Sequence, residues 1–172
     1  MKRAYLGDSY DAVKRLWQNI FREWAPLHAN PRFVPSDLRS DFTKLTRIPL
    51  LEGKQRGAYS ILNDPDTGIR LPDRANQAEG KTHVTLETIR SQLTEPGVRC
   101  VVTFDQSNHR EAGNPAKSQR DSKRAWLKSR SVQSFYYVSH APFLFAFADN
   151  ESRKVAATLL KSAGIPRTRI EQ

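Results

Sequence analysis

Apolar runs with the length of buried strands alternate along this chain with amphipathic helical segments, and that alternation restricts the fold more than any other feature of the sequence. The clearest helix follows Gly7. There Val13, Leu16, Trp17, Ile20, Phe21 and Trp24 recur at i, i+3, i+4, i+7, i+8 and i+11, one buried face of a 3.6-residue period. Asp8 or Ser9 is the natural N-cap, and Pro26 closes the segment. Strand-like runs stand at residues 2–6, 58–62 and 98–104. Strands separated by helices of this length predict an open, mostly parallel sheet with helices on both faces.

The remaining segments fit that plan. Residues 25–55 hold Pro26, Pro31, Pro35 and Pro49 and predict only a short helix over 36–45. A helix over 84–93 turns Leu86, Ile89 and Leu93 inward and breaks at Pro96-Gly97. Beyond a loop over 105–115, a basic helix directs Ala116, Ala125, Trp126 and Leu127 inward. The runs 134–138 and 143–147 are separated by Ser139-His140-Ala141-Pro142, too little chain for a parallel crossover, so they predict an antiparallel hairpin. Phe143, Phe145 and Phe147 share one face of it, and with Phe135, Tyr136 and Tyr137 they read as core and sheet surface rather than base-stacking platforms. Asp149 or Asn150 caps a last helix whose inner residues are Val155, Ala156, Leu159, Leu160 and Ala163; Gly164 and Pro166 end it, and 168–170 predict an edge strand. The chain is one domain's worth of residues. The expected fold is therefore a single three-layer, Rossmann-like α/β domain over residues 1–172, with a mostly parallel sheet and a C-terminal antiparallel hairpin.

With 28 Lys and Arg against 18 Asp and Glu, the chain carries +10 at pH 7, a field that attracts polyanions and nucleic acid first among them. Lys117, Arg120, Lys123, Arg124 and Lys128 recur mostly at spacings of three and four, opposed only by Asp121. They form either a phosphate-tracking stripe or a solvated helix face. No run approaches the roughly 20 apolar residues of a membrane span, and charge arrives too early for a signal peptide. One cysteine, Cys100, stands in an apolar run, which predicts a buried, reduced thiol in a cytoplasmic protein. A thiolate or His-x-x-x-His zinc site has no ligands here.

In open α/β sheets the ligand crevice lies beyond the carboxyl ends of the strands. Three predicted strands run into acids there: Asp8 with Asp11, Asp64 with Asp66, and Asp105. Crowded carboxylates repel one another unless they are set apart or a cation lies among them. Magnesium keeps several waters and needs only two or three carboxylates. Asp8, Asp64 and Asp105 are accordingly the candidate magnesium ligands and catalytic acids, with Asp11 or Asp66 in support and His109 as a proton carrier. A magnesium-bound water attacking a phosphate ester, in a nucleic acid or a phosphorylated small molecule, is the chemistry of a phosphoesterase or nuclease. Asp8 and Asp11 equally suit a helix N-terminus, and Asp64 and Asp66 a turn. On that view the chain is a non-catalytic nucleic-acid-binding module.

Gly7-Asp8-Ser9 resembles the first motif block of the GDSL esterases, which implies Ser9 as a nucleophile; the Asp-x-x-His block of that family has no counterpart, because no histidine follows His140. From Ala58 onward the order strand, Asp-Pro, helix, strand, helix, antiparallel hairpin resembles the second half of class I methyltransferases. That resemblance implies a methyltransferase-like protein with S-adenosylmethionine as cofactor, and Gly7, Asp66 and Gly68 as the residues nearest it. Asp66-Thr67 stand where the amino-group methyltransferases carry a second proline and an aromatic ring, and no Gly-x-Gly occurs. The segments Asp64-Pro65-Asp66-Thr67-Gly68 and Gly7-Asp8-Ser9-Tyr10-Asp11-x-x-Lys14 are also similar to uncharacterised bacterial proteins with an Asp-Pro-Asp-x-Gly strand end, a resemblance that implies the fold and no activity.

Overall fold

The computed structural model describes residues 3, 6–74, 80, 82–106 and 116–172. In chain order the elements are α1 (Ser9–Phe21), β1 (Leu27–Ala29), α2 (Arg39–Thr46), β2 (Tyr59–Asn63), β3 (Gly68–Ile69), β4 (His83–Val84), α3 (Leu86–Gln92), β5 (Val98–Phe104), α4 (Ala116–Lys128), β6 (Gln133–Tyr137), β7 (Phe143–Phe147), α5 (Asn150–Ser162) and β8 (Ile170–Glu171). Six strands form one sheet in the order β1-β2-β5-β7-β6-β8, and β3 pairs with β4 apart from it. β1, β2 and β5 run parallel, whereas the pairs β5–β7, β7–β6 and β6–β8 are antiparallel. The α/β class and the hairpin agree with the sequence, but the sheet is mixed. The expectation of a mostly parallel sheet is corrected because β7 inserts between β5 and β6 and β8 returns against β6.

Period-two alternation divides the side chains between two cores. Leu62, Cys100, Val102, Phe135 and the three phenylalanines of β7 pack with Trp17 of α1, Phe42 of α2 and Ala156 of α5. On the other face Ile61, Val101, Tyr136, Leu144 and Ala146 pack with Ile89 of α3 and Leu127 of α4. Each buried phenylalanine contributes roughly 1.5–3 kcal/mol. The rings of Phe135 and Phe145 stack at 5.1 Å, and Trp17 meets Phe145 edge-on at 5.4 Å.

Three local readings change. The strand expected at residues 2–6 falls mostly outside the described residues, and Arg3 and Leu6 are joined by a turn bond of 3.2 Å. A strand of three residues, β1, lies instead among the prolines, too short to show a period. In α4 the inward positions are Gln119, Arg120, Lys123 and Leu127, while Ala125 is exposed and Ala116 and Trp126 are half-buried. Polar residues hold that helix to the sheet because the sheet offers Asp105 and Glu171 to receive them. Among the described residues, no helix is long and apolar enough to cross a membrane.

Candidate functional site

The parallel strands β1, β2 and β5 end at one rim, where Asn30, Asp64 and Asp105 follow them. Asn63 pairs with Thr103, so Asp64 and Asp105 leave neighbouring strands almost side by side. The pleat then sends them apart. Asp64, two residues beyond Leu62, faces α1, whereas Asp105, two beyond Thr103, faces α4.

On the α1 face, Lys14 Nζ donates to Asp64 Oδ2 at 2.7 Å and to Asp11 Oδ1 at 2.9 Å, and the backbone N–H of Gly7 donates to Asp11 Oδ2 at 2.8 Å. The three side chains are only 4–6% exposed. Burial disfavours the ammonium, but Asp64 and Asp11 together outweigh it and hold Lys14 above its ordinary 10.5. One cation between two carboxylates leaves the cluster one negative charge in surplus. Among the described residues Asp64 Oδ1 has no hydrogen-bond partner, and it retains contact with solvent.

This raised value sets an alkaline dependence. A lysine with a raised folded-state pKa contributes its stability in full below the unfolded value and loses it as pH climbs through the folded value. Unfolding free energy measured from about pH 9 upward is therefore expected to fall above 10.5 more steeply in the parent chain than in Lys14→Met. Equal slopes refute the assignment.

On the α4 face, Lys123 Nζ donates to both oxygens of Asp105, at 3.0 and 2.8 Å; Tyr136 Oη donates to Oδ2 at 2.7 Å and Ile69 N–H to Oδ1 at 3.0 Å. Both members of the ion pair are fully buried. Burial, and next the carboxylate of Asp105, push the Tyr136 hydroxyl well above 10, so it remains a donor. Nearby His83 is held below 6.5 by its partial burial and then by Arg70 and Lys123, against the pull of Asp105. Asn63 Nδ2 adds a bond of 2.7 Å to Gln92 Oε1, tying β2 to α3 beneath the same rim. Desolvating two lysine–aspartate pairs costs several kcal/mol per ion, so their joint presence at a strand-end rim marks it as a functional candidate.

Asp8 uses Oδ1 to accept from the N–H groups of Tyr10 and Asp11, at 2.9 and 3.3 Å, and so caps α1. The expected meeting of Asp8, Asp64 and Asp105 in one pocket is corrected by this cap and by the pleat. Among the described residues, no three of His, Cys, Asp and Glu are placed to hold a single metal ion. His109 lies outside the described residues. Gly7 serves Asp11, Asp66 is exposed, and Gly68 packs on Asp105. The basic stripe divides: Arg120 grips Glu171 through two bonds of 2.8 Å and Lys123 is sealed on Asp105, while Lys117 pairs with Asp121 and Lys128 stays exposed. Arg124 approaches Asp121 at 3.6 Å.

Lys14, which the sequence offers only as the end of a segment shared with uncharacterised proteins, and Tyr136, which it offers only as a core aromatic, carry the site. Lys14 stands in helical phase with Trp17, Gln18 and Phe21, and that phase is the signal that marks it as buried. Tyr136 alternates with the core ring Phe135 and resembles any other sheet aromatic. The structure also brings Ser9 Oγ within 3.2 Å of His140 Nε2, across 131 residues of chain. Among the described residues no carboxylate orients that ring, so the third group of a nucleophilic triad is missing. No protein-family model, curated protein or solved structure matches the chain.

Proposed function

We propose that the rim acts on a phosphate ester, in a nucleotide or a nucleic acid, and that Asp64 meets the reacting centre through a magnesium ion. The observation that carries this reading is the Asp11–Lys14–Asp64 cluster, with its surplus negative charge and the open Oδ1 of Asp64. An open carboxylate oxygen suits a hard cation that keeps its other positions for water and phosphate. Magnesium, when bound, polarises a phosphoryl oxygen and lowers the pKa of its water. Lys14 contributes by fixing Asp64 in place before any ligand arrives. The +10 charge of the chain as a whole favours encounter with a polyanion. Helix layers on both faces and a ligand rim at the ends of parallel strands support a Rossmann-like classification. The buried free thiol of Cys100 supports a reducing, cytoplasmic setting.

Thermal melts separate this reading from its rivals. Saturating manganese is expected to raise the parent Tm by about 5 °C and to leave Asp64→Asn unmoved, and the parent is expected to cleave a nitrophenyl phosphodiester faster than the variant. A shift with S-adenosylmethionine alone overturns the proposal in favour of a methyltransferase-like protein. A nucleic-acid-binding module is the second reading, favoured by Arg130 lying 3.8 Å over the ring of Trp126 beside exposed Lys128. It prevails if no metal shift occurs and oligonucleotide binding weakens steeply with salt.

A further inference from the structure

The turn between β6 and β7 is fastened to the rim that carries Asp64. β7 runs antiparallel to β5 with Phe143 opposite Phe104, and the N–H of Asp105 donates to Pro142 O at 3.1 Å. Within the turn, Ser139 Oγ accepts from the N–H of Ala141 at 3.0 Å and donates to the carbonyl oxygen of Ala141 at 3.1 Å. Ala141 is buried, and His140 beside it is exposed.

A chain of contacts joins this turn to Asp64. Lys14 ties Asp64 to Asp11 near the start of α1, and Tyr10, next to Asp11, meets Phe104 at the end of β5 edge-on at 5.3 Å. The hydroxyl of Tyr10 accepts from Gln106 Nε2 at 3.2 Å. The backbone N of Gln106 in turn lies against Gly68, at the close of the turn that Asp64 opens. Asp64, Gly68, Gln106, Tyr10 and Asp11 thus follow one another around the ends of β2 and β5. His140 stands against Tyr10, with ring centroids 5.7 Å apart and planes at 64°, and its Nε2 lies 3.2 Å from Ser9 Oγ. Those are its only ring and polar partners among the described residues. Tyr10 packs on the core, but His140 stays in solvent. An exposed imidazole with one edge-on neighbour has room for a planar ligand against it, and nucleobases stack on such side chains through their π-faces.

We propose that Tyr10 and His140 form a nucleobase subsite beside Asp64, which holds the base of the phosphate ester that reacts there. Resting on the phosphate-ester reading of Asp64, this subsite adds the feature that selects a nucleotide over other phosphates. The base stacks on the imidazole and abuts the ring of Tyr10. Ser9 Oγ orients the imidazole and Ser139 fixes the turn beneath it, so the subsite is formed before a ligand arrives.

Calorimetric titration of the full chain at saturating manganese tests this with adenosine monophosphate and ribose phosphate, which differ only by the base. Adenosine monophosphate is expected to bind about tenfold more tightly, the scale of one base stacked on an aromatic side chain. His140→Ala, at an exposed position, is expected to remove most of that preference, and Tyr10→Leu gives the same direction. His140→Phe is expected to keep it, since a phenyl ring stacks as an imidazole does but transfers no proton. Equal affinity for the two ligands in the parent, or a preference that His140→Ala leaves intact, overturns the subsite while the phosphate-ester reading stands. A loss in His140→Phe as large as that in His140→Ala shows that the ring does not act by stacking and overturns it too. If neither ligand binds, or if Asp64→Asn leaves both affinities unchanged, the phosphate-ester reading fails and the subsite falls with it.

Discussion

Lys123→Met is expected to lower the unfolding free energy by about 3–5 kcal/mol. Its ammonium supplies two of the four bonds described around Asp105, at a position where neither group is exposed to water. Removal of the lysine takes away the full positive charge that Asp105 faces in the buried pair, and that loss of compensation is the source of the destabilisation. Asp105→Asn removes the charge and keeps Oδ1 for the N–H of Ile69, while its amide NH2 can donate to Tyr136 Oη, which accepts as well as donates. The double variant is therefore expected to recover a large part of what Lys123→Met loses, and urea unfolding of the four chains closes the cycle. A loss below about 1 kcal/mol in Lys123→Met, in the range of an exposed pair, is the result that removes Asp105 and Lys123 from the core of the site.

Much of this architecture was readable because long amphipathic segments announce themselves. Trp17 and Phe21 in α1, the run of β5, and the aromatic alternation of β7 all fall where their periods place them, and Asp8 and Asp149 cap the helices they precede. What escaped was short or tertiary in origin. β1 has three residues, and no period can be read from three. The direction of Asp64 and Asp105 depends on register: both stand one residue past a strand, yet the two strands enter the rim one residue out of step, so the pleat points them to opposite helices. The inward turn of Arg120 and Lys123 follows from partners far away in sequence, Glu171 and Asp105. Charge spacing along α4 is the same whether the helix shows that face to water or to a carboxylate.

Gly68 is the second position where a small change is expected to have a large effect, because the Asp64-Pro65-Asp66-Thr67-Gly68 turn presses its backbone against Asp105. A Cβ at Gly68 would lie 2.5 Å from Asp105 Oδ1, 2.8 Å from the backbone N of Gln106 and 2.9 Å from Asp105 Cα. Two of these obstacles are backbone, and the third is a carboxylate fixed by Lys123, Tyr136 and Ile69. The residue also has φ at +118°, where L side chains are strained. Strain and overpacking together predict a loss of about 2–6 kcal/mol in Gly68→Ala. Gly57 separates the two terms, since its φ is +79° and nothing lies within 4 Å of its would-be Cβ. Gly57→Ala is expected to show the conformational cost alone, about 1 kcal/mol. A Gly68→Ala loss no greater than that of Gly57→Ala means that the turn moves freely away from Asp105. In that event the close approach of the two strand ends is not what holds the rim together.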